Sequence, residues 1–382
     1  MTRLRTVSPS STGWTRRRAG TGFVYLDTAG ERLPAEQVER IRALAIPPAW
    51  KDVWICPYPN GHIQAVGTDD AGRRQYLYHP GWRVKRDQLK FDRVAAAARK
   101  LPRARREVLA HLGLDGMPLE RASAAAVRLL DLGYFRIGSD AYADTNGSFG
   151  LTTLEKRHVR SRNGRLMFSF TGKSGIEHSI EIDDADVLAA LERMRRRRGG
   201  GDRLLAYQRS RFWTALDATA VNLYLRELLG GDLTAKDFRT WHATVLAATA
   251  LAMSDEPGDT KRSRQRAVKA AVAEVAEYLG NTPTIAKNSY IDPRVIDLYE
   301  DGTTIAAVAR KRHRTPDERQ AALERAVLRM LAEAPDSLGR ASRARPARAT
   351  GSAASSGSAA SAASAGRSGS SRTPGTSTAR AS

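Results

Sequence analysis

The sequence changes character near residue 85, and this change limits the possible fold more than any other feature. Residues 62–66 and 74–78 alternate in polarity around a turn signal at 69–72, which predicts a β-hairpin. Residues 22–27 also have a strand-like pattern. Residues 35–44 have a helical pattern that Pro47 and Pro48 end. The N-terminal part of the chain is therefore predicted to be rich in β-strands.

After Trp82 the chain is rich in Ala, Leu and Arg at helical spacing. Two turn signals, Asn163-Gly164 and Ser174-Gly175, separate three β-like runs within residues 156–182. These patterns predict an α+β protein with a mainly α-helical second part that contains a three-stranded β excursion.

Helix boundary signals are clear toward the end of this helical part. Valines at 268, 272 and 275 with Leu279 form one helical face, and Gly280 is predicted to end that helix. Thr282-Pro283 and Thr315-Pro316 each have an N-cap residue followed by proline, which is typical of a helix start.

Residues 337–382 differ from both parts. They contain Ala, Ser, Gly, Thr and Arg with no aromatic or acidic side chain, and such a segment cannot bury enough apolar surface to offset the entropy of ordering. We predict a small β-rich domain in residues 1–85, a helical domain in 86–336 and a disordered basic tail in 337–382. Seven arginines of the tail carry a third of the net charge, so the other two thirds lie on the first 336 residues.

The net charge of +21 and the pI near 10.6 favour a polyanionic partner, above all a nucleic acid. Cys56 is the only cysteine, which excludes an internal disulfide and a cysteine-based zinc site. The N-terminus has no signal-peptide pattern, and no run of about 18 apolar residues occurs. We therefore expect a soluble cytoplasmic protein without a membrane span.

Two common enzyme motifs are excluded. Gly172-Lys173-Ser174 resembles the end of a phosphate-binding P-loop, but Met167 stands where the first glycine is required. The histidines are scattered and no H-E-x-x-H pattern occurs, so no dedicated metal site is expected.

Several ordered segments combine Arg, Lys, Asn and Tyr. They are YFRIG at 134–138, GLTTL at 150–154, KRHV at 156–159, FTGK at 170–173, LTAKDFRTW at 233–241 and GNTPTIAKNSY at 280–290. In order and context these segments resemble the catalytic segments of type IB DNA topoisomerases, in their small viral and bacterial form. The resemblance covers about residues 20–330.

The resemblance implies a catalytic set in which Tyr290 attacks a DNA phosphate, Arg136 and Arg239 hold it, and Lys173 protonates the leaving 5′ oxygen. The chemistry is consistent with these residue types. A planar guanidinium can bind two nonbridging oxygens, a phenol needs a cationic environment to ionise near neutral pH, and a lysine can act as general acid. Because the phosphotyrosyl ester retains the energy of the broken bond, neither ATP, nor a metal, nor another cofactor is required.

Asn281 is a departure from the viral and eukaryotic pattern, which typically has a histidine at this position. An amide donates a hydrogen bond to phosphate but cannot relay a proton, so Asn281 is interpreted as a phosphate ligand.

In the N-terminal part, the resemblance assigns Gln75, Tyr76 and Tyr78 to DNA contact. The alternative interpretation is a half-buried strand whose tyrosines pack in a core, and the sequence leaves both open. His242 and the arginine-rich run at 193–198 are interpreted as structural or solvated.

We thus predict an ATP-independent isomerase that acts as a monomer on double-stranded DNA in the cytoplasm, associated with a bacterial nucleoid. Two alternatives stay open. A tyrosine recombinase would use the same nucleophile and arginines, although Lys236 stands where a recombinase would have a histidine before Arg239. A non-enzymatic DNA-coating protein would explain the charge and the tail but not the ordered motifs.

Overall fold

The N-terminal part of the computed structural model is an antiparallel sheet with one helix. The structure describes residues 3–133, 135–138, 140, 143, 147–231, 233–256 and 258–333. The strands are β1 (Trp14–Ala19), β2 (Gly22–Leu26), β3 (Lys51–Ile55), β4 (Ile63–Thr68) and β5 (Arg74–Tyr78), in the order β2-β1-β3-β4-β5. Helix α1 (Ala35–Ala43) connects β2 to β3. The predicted hairpin is confirmed as the antiparallel pair β4 and β5.

A small apolar core lies beneath this sheet, where Ile41 of α1 packs with Val53, Ile55 and Ala65. Strand β1 was not predicted, because three consecutive arginines hide its alternation. One of them, Arg16, donates hydrogen bonds to the backbone carbonyls of residues 46–48 and 50, at the corner after α1. Because these carbonyls satisfy the donors of the guanidinium group, an arginine can occupy a half-buried strand position.

The rest of the described chain is mainly helical. Its helices are α2 (Pro80–Ala98), α3 (Leu101–Leu112), α4 (Leu119–Gly133), α5 (Ala185–Arg196), α6 (Ala218–Leu229), α7 (Ala235–Ala252), α8 (Lys261–Leu279), α9 (Pro283–Ser289), α10 (Pro293–Glu300), α11 (Ala306–Ala309) and α12 (Pro316–Ala332). None of the helices in these described segments is long and apolar enough to cross a membrane. The predicted domain boundary at residue 85 falls within α2, and the division into domains stays a prediction. The predicted disordered tail lies outside the described residues.

The three-stranded excursion is confirmed as the antiparallel sheet β6 (Val159–Arg162), β7 (Arg165–Thr171) and β8 (Glu177–Ile182). Asn163 and Gly164 form the first turn with φ of 52° and 75°, the left-handed conformation expected of Asn-Gly. A further hairpin, β9 (Ala206–Arg209) and β10 (Phe212–Ala215), was not predicted. Its turn begins with Ser210, which has a left-handed φ of 56°. Serine rarely adopts this conformation, so the sequence did not indicate a turn here.

The predicted helix boundaries near the C-terminal end of the helical part are confirmed. Gly280 caps α8 in the left-handed conformation, with φ 59° and ψ 47°. The hydroxyl groups of Thr282 and Thr315 accept hydrogen bonds from the first turns of α9 and α12. These caps satisfy backbone donors that a helix start leaves without partners.

A buried ionic network ties four helices together. Arg105 of α3 donates to both carboxylates Asp131 of α4 and Glu324 of α12. Trp241 and His242 of α7 also contact these carboxylates, at 3.3 Å each. Burial alone would raise the pKa of Asp131, but the guanidinium of Arg105 holds it well below its ordinary value. His242 is thus a packed residue, as interpreted from the sequence.

We expect Asp131→Asn to lower the free energy of unfolding by about 3 kcal/mol, because Arg105 then keeps a buried charge with one carboxylate fewer. Urea denaturation measures this loss. Asp317→Asn is the matched control, since the side chain of Asp317 is 73% exposed at 3.6 Å from Arg128. It should cost less than about 0.5 kcal/mol, and equal losses in the two variants would contradict a stabilising role for the buried network.

Candidate active site

The C-terminal end of α8 brings four of the predicted site residues together. Arg136 follows α4, Arg239 lies on the first turns of α7, Asn281 directly follows Gly280, and Tyr290 ends α9. Arg136 donates through Nη2 to the carbonyl of Gly280 and to Oδ1 of Asn281, at 2.9 Å each. These elements are far apart in the sequence, so the cluster exists only because the helices pack as they do.

Arg239 is held at the same place. Its Nη2 donates to the carbonyl of Leu279 at 2.6 Å, and the residue is 5% exposed. The last carbonyls of a helix lack intrahelical donors and carry partial negative charge. The end of α8 therefore binds both guanidinium groups and places them side by side.

Tyr290 lies against this pair. Its side chain is hydrogen-bonded to Arg239, and its ring centroid is 5.6 Å from the guanidinium carbon. The ring is half-buried and packs on the helical core. The backbone is held as well, because the hydroxyl of Thr244 accepts from the amide of Asp292. The single hydrogen of this hydroxyl lies between the carbonyl of Thr240 at 2.8 Å and that of Tyr290 at 3.3 Å.

The electrostatics of this cluster favour an anion. Burial, then the neighbouring charge of Arg136, lowers the pKa of Arg239 to about 10. Burial also lowers the pKa of Arg136, and Tyr290 opposes that shift. Arginine side chains keep their charge in proteins at neutral pH. The partners described above are carbonyls, an amide and a phenol. Two adjacent cations with neutral partners would be stabilised by a bound phosphate.

Asn281 presents a further donor. Its Nδ2 is buried and has no hydrogen-bond partner within the described part of the chain. Buried donors in folded proteins nearly always have partners, and each exception calls for an explanation. A phosphate oxygen bound by Arg136 and Asn281 together would supply that partner.

Lys173 is not joined to this cluster by a contact. It is exposed on the short turn (Lys173–Gly175) between β7 and β8, and among the described residues it has no hydrogen bond or ion pair. Its predicted role stays a prediction.

A cleft of about 640 Å³ is lined by Ser289 and Ile291, the chain neighbours of Tyr290. The other lining residues include Tyr76, Tyr78, Arg86, Lys90, Lys236 and Lys287. The rings of Tyr76 and Tyr78 stack with centroids 6.0 Å apart.

The structure also places the rest of β5. Leu77 packs on the core of the sheet, and Gln75 donates a hydrogen bond to Asp69. Thus Tyr76 and Tyr78 lie on the cleft, whereas Gln75 does not line it.

Comparison with known proteins identifies the family. Residues 79–316 match the family of eukaryotic DNA topoisomerase I catalytic cores, and residues 22–69 match the N-terminal domain of bacterial DNA topoisomerase IB. The chain belongs to the type IB DNA topoisomerase family.

Individual relatives agree with this assignment. The chain is 29% identical over 302 residues to DNA topoisomerase 1B of Acanthamoeba polyphaga mimivirus, which covers 75% of this chain and 87% of the relative. It is 21% identical over 250 residues to DNA topoisomerase 1B of vaccinia virus (strain Copenhagen), and the match covers 64% of this chain and 75% of the viral protein. DNA topoisomerase 1 of Drosophila melanogaster is 27% identical over 175 residues, and the match covers 44% of this chain and 17% of the fly protein.

The family assignment confirms several predictions. The resemblance drawn from the motifs and the function class of an isomerase acting on DNA are confirmed. The α+β fold class is confirmed by the structure. The roles of the individual site residues stay predictions.

His178 is a site residue that the sequence analysis missed. It lies on β8 and stacks on Phe170 with centroids 5.1 Å apart. A Cβ added to Gly172 would come within 2.5 Å of its ring, and one added to Gly280 within 3.2 Å. Both glycines therefore leave the space for this imidazole. The sequence did not indicate this position, because a single histidine on an alternating strand matches no motif.

The environment of His178 makes its protonation unfavourable. Burial, then the charges of Arg136 and Arg239, lowers its pKa below 6.5. In the folded enzyme the imidazole is therefore neutral at pH 7, so it does not add a third charge to the cluster.

We expect His178→Gln to reduce the acid sensitivity of the DNA-free enzyme. Below about pH 6.5 the unfolded chain binds a proton at this position that the folded state resists, so stability falls as the pH falls. Thermal unfolding between pH 7.5 and 5 measures the effect, and the wild type should lose more stability than the variant. Parallel curves for the two proteins would contradict the proposed environment of His178.

Proposed function

We propose that this topoisomerase relaxes supercoiled double-stranded DNA by cutting one strand through a 3′-phosphotyrosyl intermediate at Tyr290 and then rejoining it. The observation that carries the proposal is the hydrogen bond between Tyr290 and Arg239 within a cluster of two cations. A phenol so placed can attack phosphorus while the adjacent guanidinium groups bind the phosphate anion.

The same cluster supports charge stabilisation in the transition state. In-line attack develops negative charge on the nonbridging oxygens, where Arg136, Arg239 and the free amide donor of Asn281 would bind. Attack of the tyrosyl oxygen forms a bond to phosphorus as the bond to the 5′ oxygen breaks. The 5′ hydroxyl then reverses the step, so the strand is rejoined without an external energy source.

Lys173 would complete this cycle as general acid for the leaving 5′ oxygen. Its exposed position on the turn between β7 and β8 leaves the ammonium group able to reach a bound strand. The same lysine, deprotonated, would take the proton back when the 5′ hydroxyl attacks.

The cleft beside Tyr290 would hold the duplex. The stacked Tyr76 and Tyr78 line it, and Lys236 and Lys287 contribute positive charge to its lining. Lys236 and Lys287 would bind backbone phosphates, and the tyrosines would contact bases or sugars. Cutting one strand in such a cleft leaves the intact strand as the axis about which supercoils relax.

Oligomeric state and location form part of the same proposal. The cluster and the cleft are built entirely from one chain, which supports action as a monomer. The net charge of +21 supports association with DNA in a bacterial nucleoid in the cytoplasm.

We expect Tyr290→Phe to abolish relaxation of supercoiled plasmid in EDTA without ATP, since the attacking oxygen is removed. It should also abolish the covalent protein–DNA adduct trapped by denaturant, while leaving salt-dependent DNA binding intact. Tyr278→Phe, on the exposed side of α8, is the control and should keep full activity.

Mapping the adduct separates this function from its alternatives. Phosphotyrosine at residue 290 linked to a 3′ DNA end supports the proposal, whereas a crosslink elsewhere, or none from the wild type, overturns it. Products in which two duplexes have exchanged strands would indicate a recombinase instead.

We expect Lys173→Ala to slow cleavage of ordinary DNA by roughly 10²-fold or more, the usual contribution of a general acid. A substrate with sulfur in place of the bridging 5′ oxygen releases a thiolate, which leaves without needing a proton. On that substrate the variant should cleave nearly as fast as the wild type. If the defect is equal on both substrates, Lys173 is not the general acid.

A further inference from the structure

Helix α2 connects the cleft-lining strand to the nucleophile segment. Only His79 separates the end of β5 from Pro80, and His79 caps α2 by accepting a hydrogen bond from Gly81. Arg86, on the second turn of α2, lies over the ring of Tyr78 with its guanidinium carbon 5.1 Å from the centroid. The start of α2 is thus fixed to β5 both through the chain and through a side-chain contact.

One turn further along α2, Lys90 reaches the residue before the nucleophile. Its Nζ donates to the carbonyl of Ser289 at 2.8 Å. Ser289 is the last residue of α9, where carbonyls lack intrahelical donors and a nearby cation is favourable. The hydrogen bond therefore fixes the direction in which the chain leaves α9, and with it the position of Tyr290.

Two neighbours of Lys90 contact the other segments of the site. Asp92 pairs with Arg294 at 2.8 Å, and Arg294 also binds Asp292, the N-cap of α10. Arg93 pairs with Asp237 at 3.1 Å.

Asp237 in turn fixes the start of the helix that carries Arg239. Its carboxylate accepts hydrogen bonds from the backbone amide and the hydroxyl of Thr234, the N-cap of α7. A single turn of α2 thus contacts the chain before Tyr290, the chain after it and the first turn of α7.

We propose that Lys90 is a positioning residue for Tyr290, and that α2 transmits engagement of Tyr76 and Tyr78 in the cleft to the nucleophile. This inference rests on the proposed role of Tyr290. Lys90 acts through the backbone of Ser289 and does not touch the reacting phenol. Lys90 also lines the cleft. Its hydrogen bond to the carbonyl of Ser289, its half-buried position and the burial that lowers its pKa nevertheless agree with a structural contact more than with a solvated phosphate ligand.

The test is single-turnover cleavage by the full chain at saturating enzyme, on a duplex whose short leaving strand dissociates. We expect Lys90→Met to slow cleavage by roughly tenfold to 10²-fold, as for a misplaced reacting group. Lys90→Arg, which can still donate to the carbonyl, should recover most of the rate. Lys85→Met, which removes an exposed lysine of the same helix, should leave the saturated rate unchanged.

Binding measurements separate positioning from phosphate contact. In a Tyr290→Phe background, Lys90→Met should leave the dissociation constant for the duplex within about twofold and the salt dependence of binding unchanged. A phosphate contact would instead weaken binding and reduce the salt slope by about 0.9, with a normal saturated cleavage rate. That result, or normal cleavage and binding in Lys90→Met, would overturn the inference.

A second variant tests the inference in case Lys90→Met fails to fold. Asp92→Asn weakens the pairing with Arg294, while Asp292 still binds Arg294, so the fold should be retained. It should slow cleavage severalfold with unchanged binding, and a normal rate would count against the inference. If the wild type itself forms no adduct at Tyr290, the proposed function fails, a result distinct from failure of Lys90 as a positioning residue.

Discussion

The cluster of Arg136, Arg239, Asn281 and Tyr290 depends on the backbone carbonyls at the end of helix α8. Its carbonyls accept hydrogen bonds from both Arg136 and Arg239, which come from segments about a hundred residues apart. The left-handed Gly280 then turns the chain so that Asn281 meets Arg136 and α9 can begin. A helix terminus supplies partial negative charge without a carboxylate, so it can orient two arginines and still leave their charge available to a substrate.

The protein uses buried arginine in two different ways. Arg105 is paired with Asp131 and Glu324, and the result is a closed network that holds α3, α4 and α12 together. Arg239 is more deeply buried, at 5% exposed against 20% for the side chain of Arg105, and its described partners are a carbonyl and a phenol. Burial of a charge is costly, and strongly perturbed charged groups are typical of functional sites. The family to which the chain belongs acts on DNA, whose phosphates carry the complementary charge.

Rigidity around Tyr290 comes from backbone contacts on both sides of it. Thr244 binds the amide of Asp292, and Lys90 binds the carbonyl of Ser289. Because neither contact uses the phenol, the phenolic oxygen stays available to its hydrogen bond with Arg239. A short helix such as α9 has little stability of its own, so these tertiary contacts must fix the end at which the tyrosine lies.

The sequence by itself determined the classes of structure, and it predicted which residues form the candidate site. Alternation and turn signals located β4, β5 and the three-stranded excursion, and caps such as Gly280 and Thr282 located helix ends, because these features depend on neighbouring residues. They did not reveal β1, whose arginines are accommodated by carbonyls of a distant corner, or the hairpin at Ser210, whose turn lacks a glycine signal.

Only the tertiary structure decided which residues meet. It brought His178 between two glycines and beside the arginines, placed Tyr76 and Tyr78 on the cleft, and directed Lys90 to the carbonyl before Tyr290. It also showed that Lys173 has no fixed partner among the described residues. These relations depend on distances between residues remote in the chain, and such distances follow from how whole helices pack rather than from any local pattern.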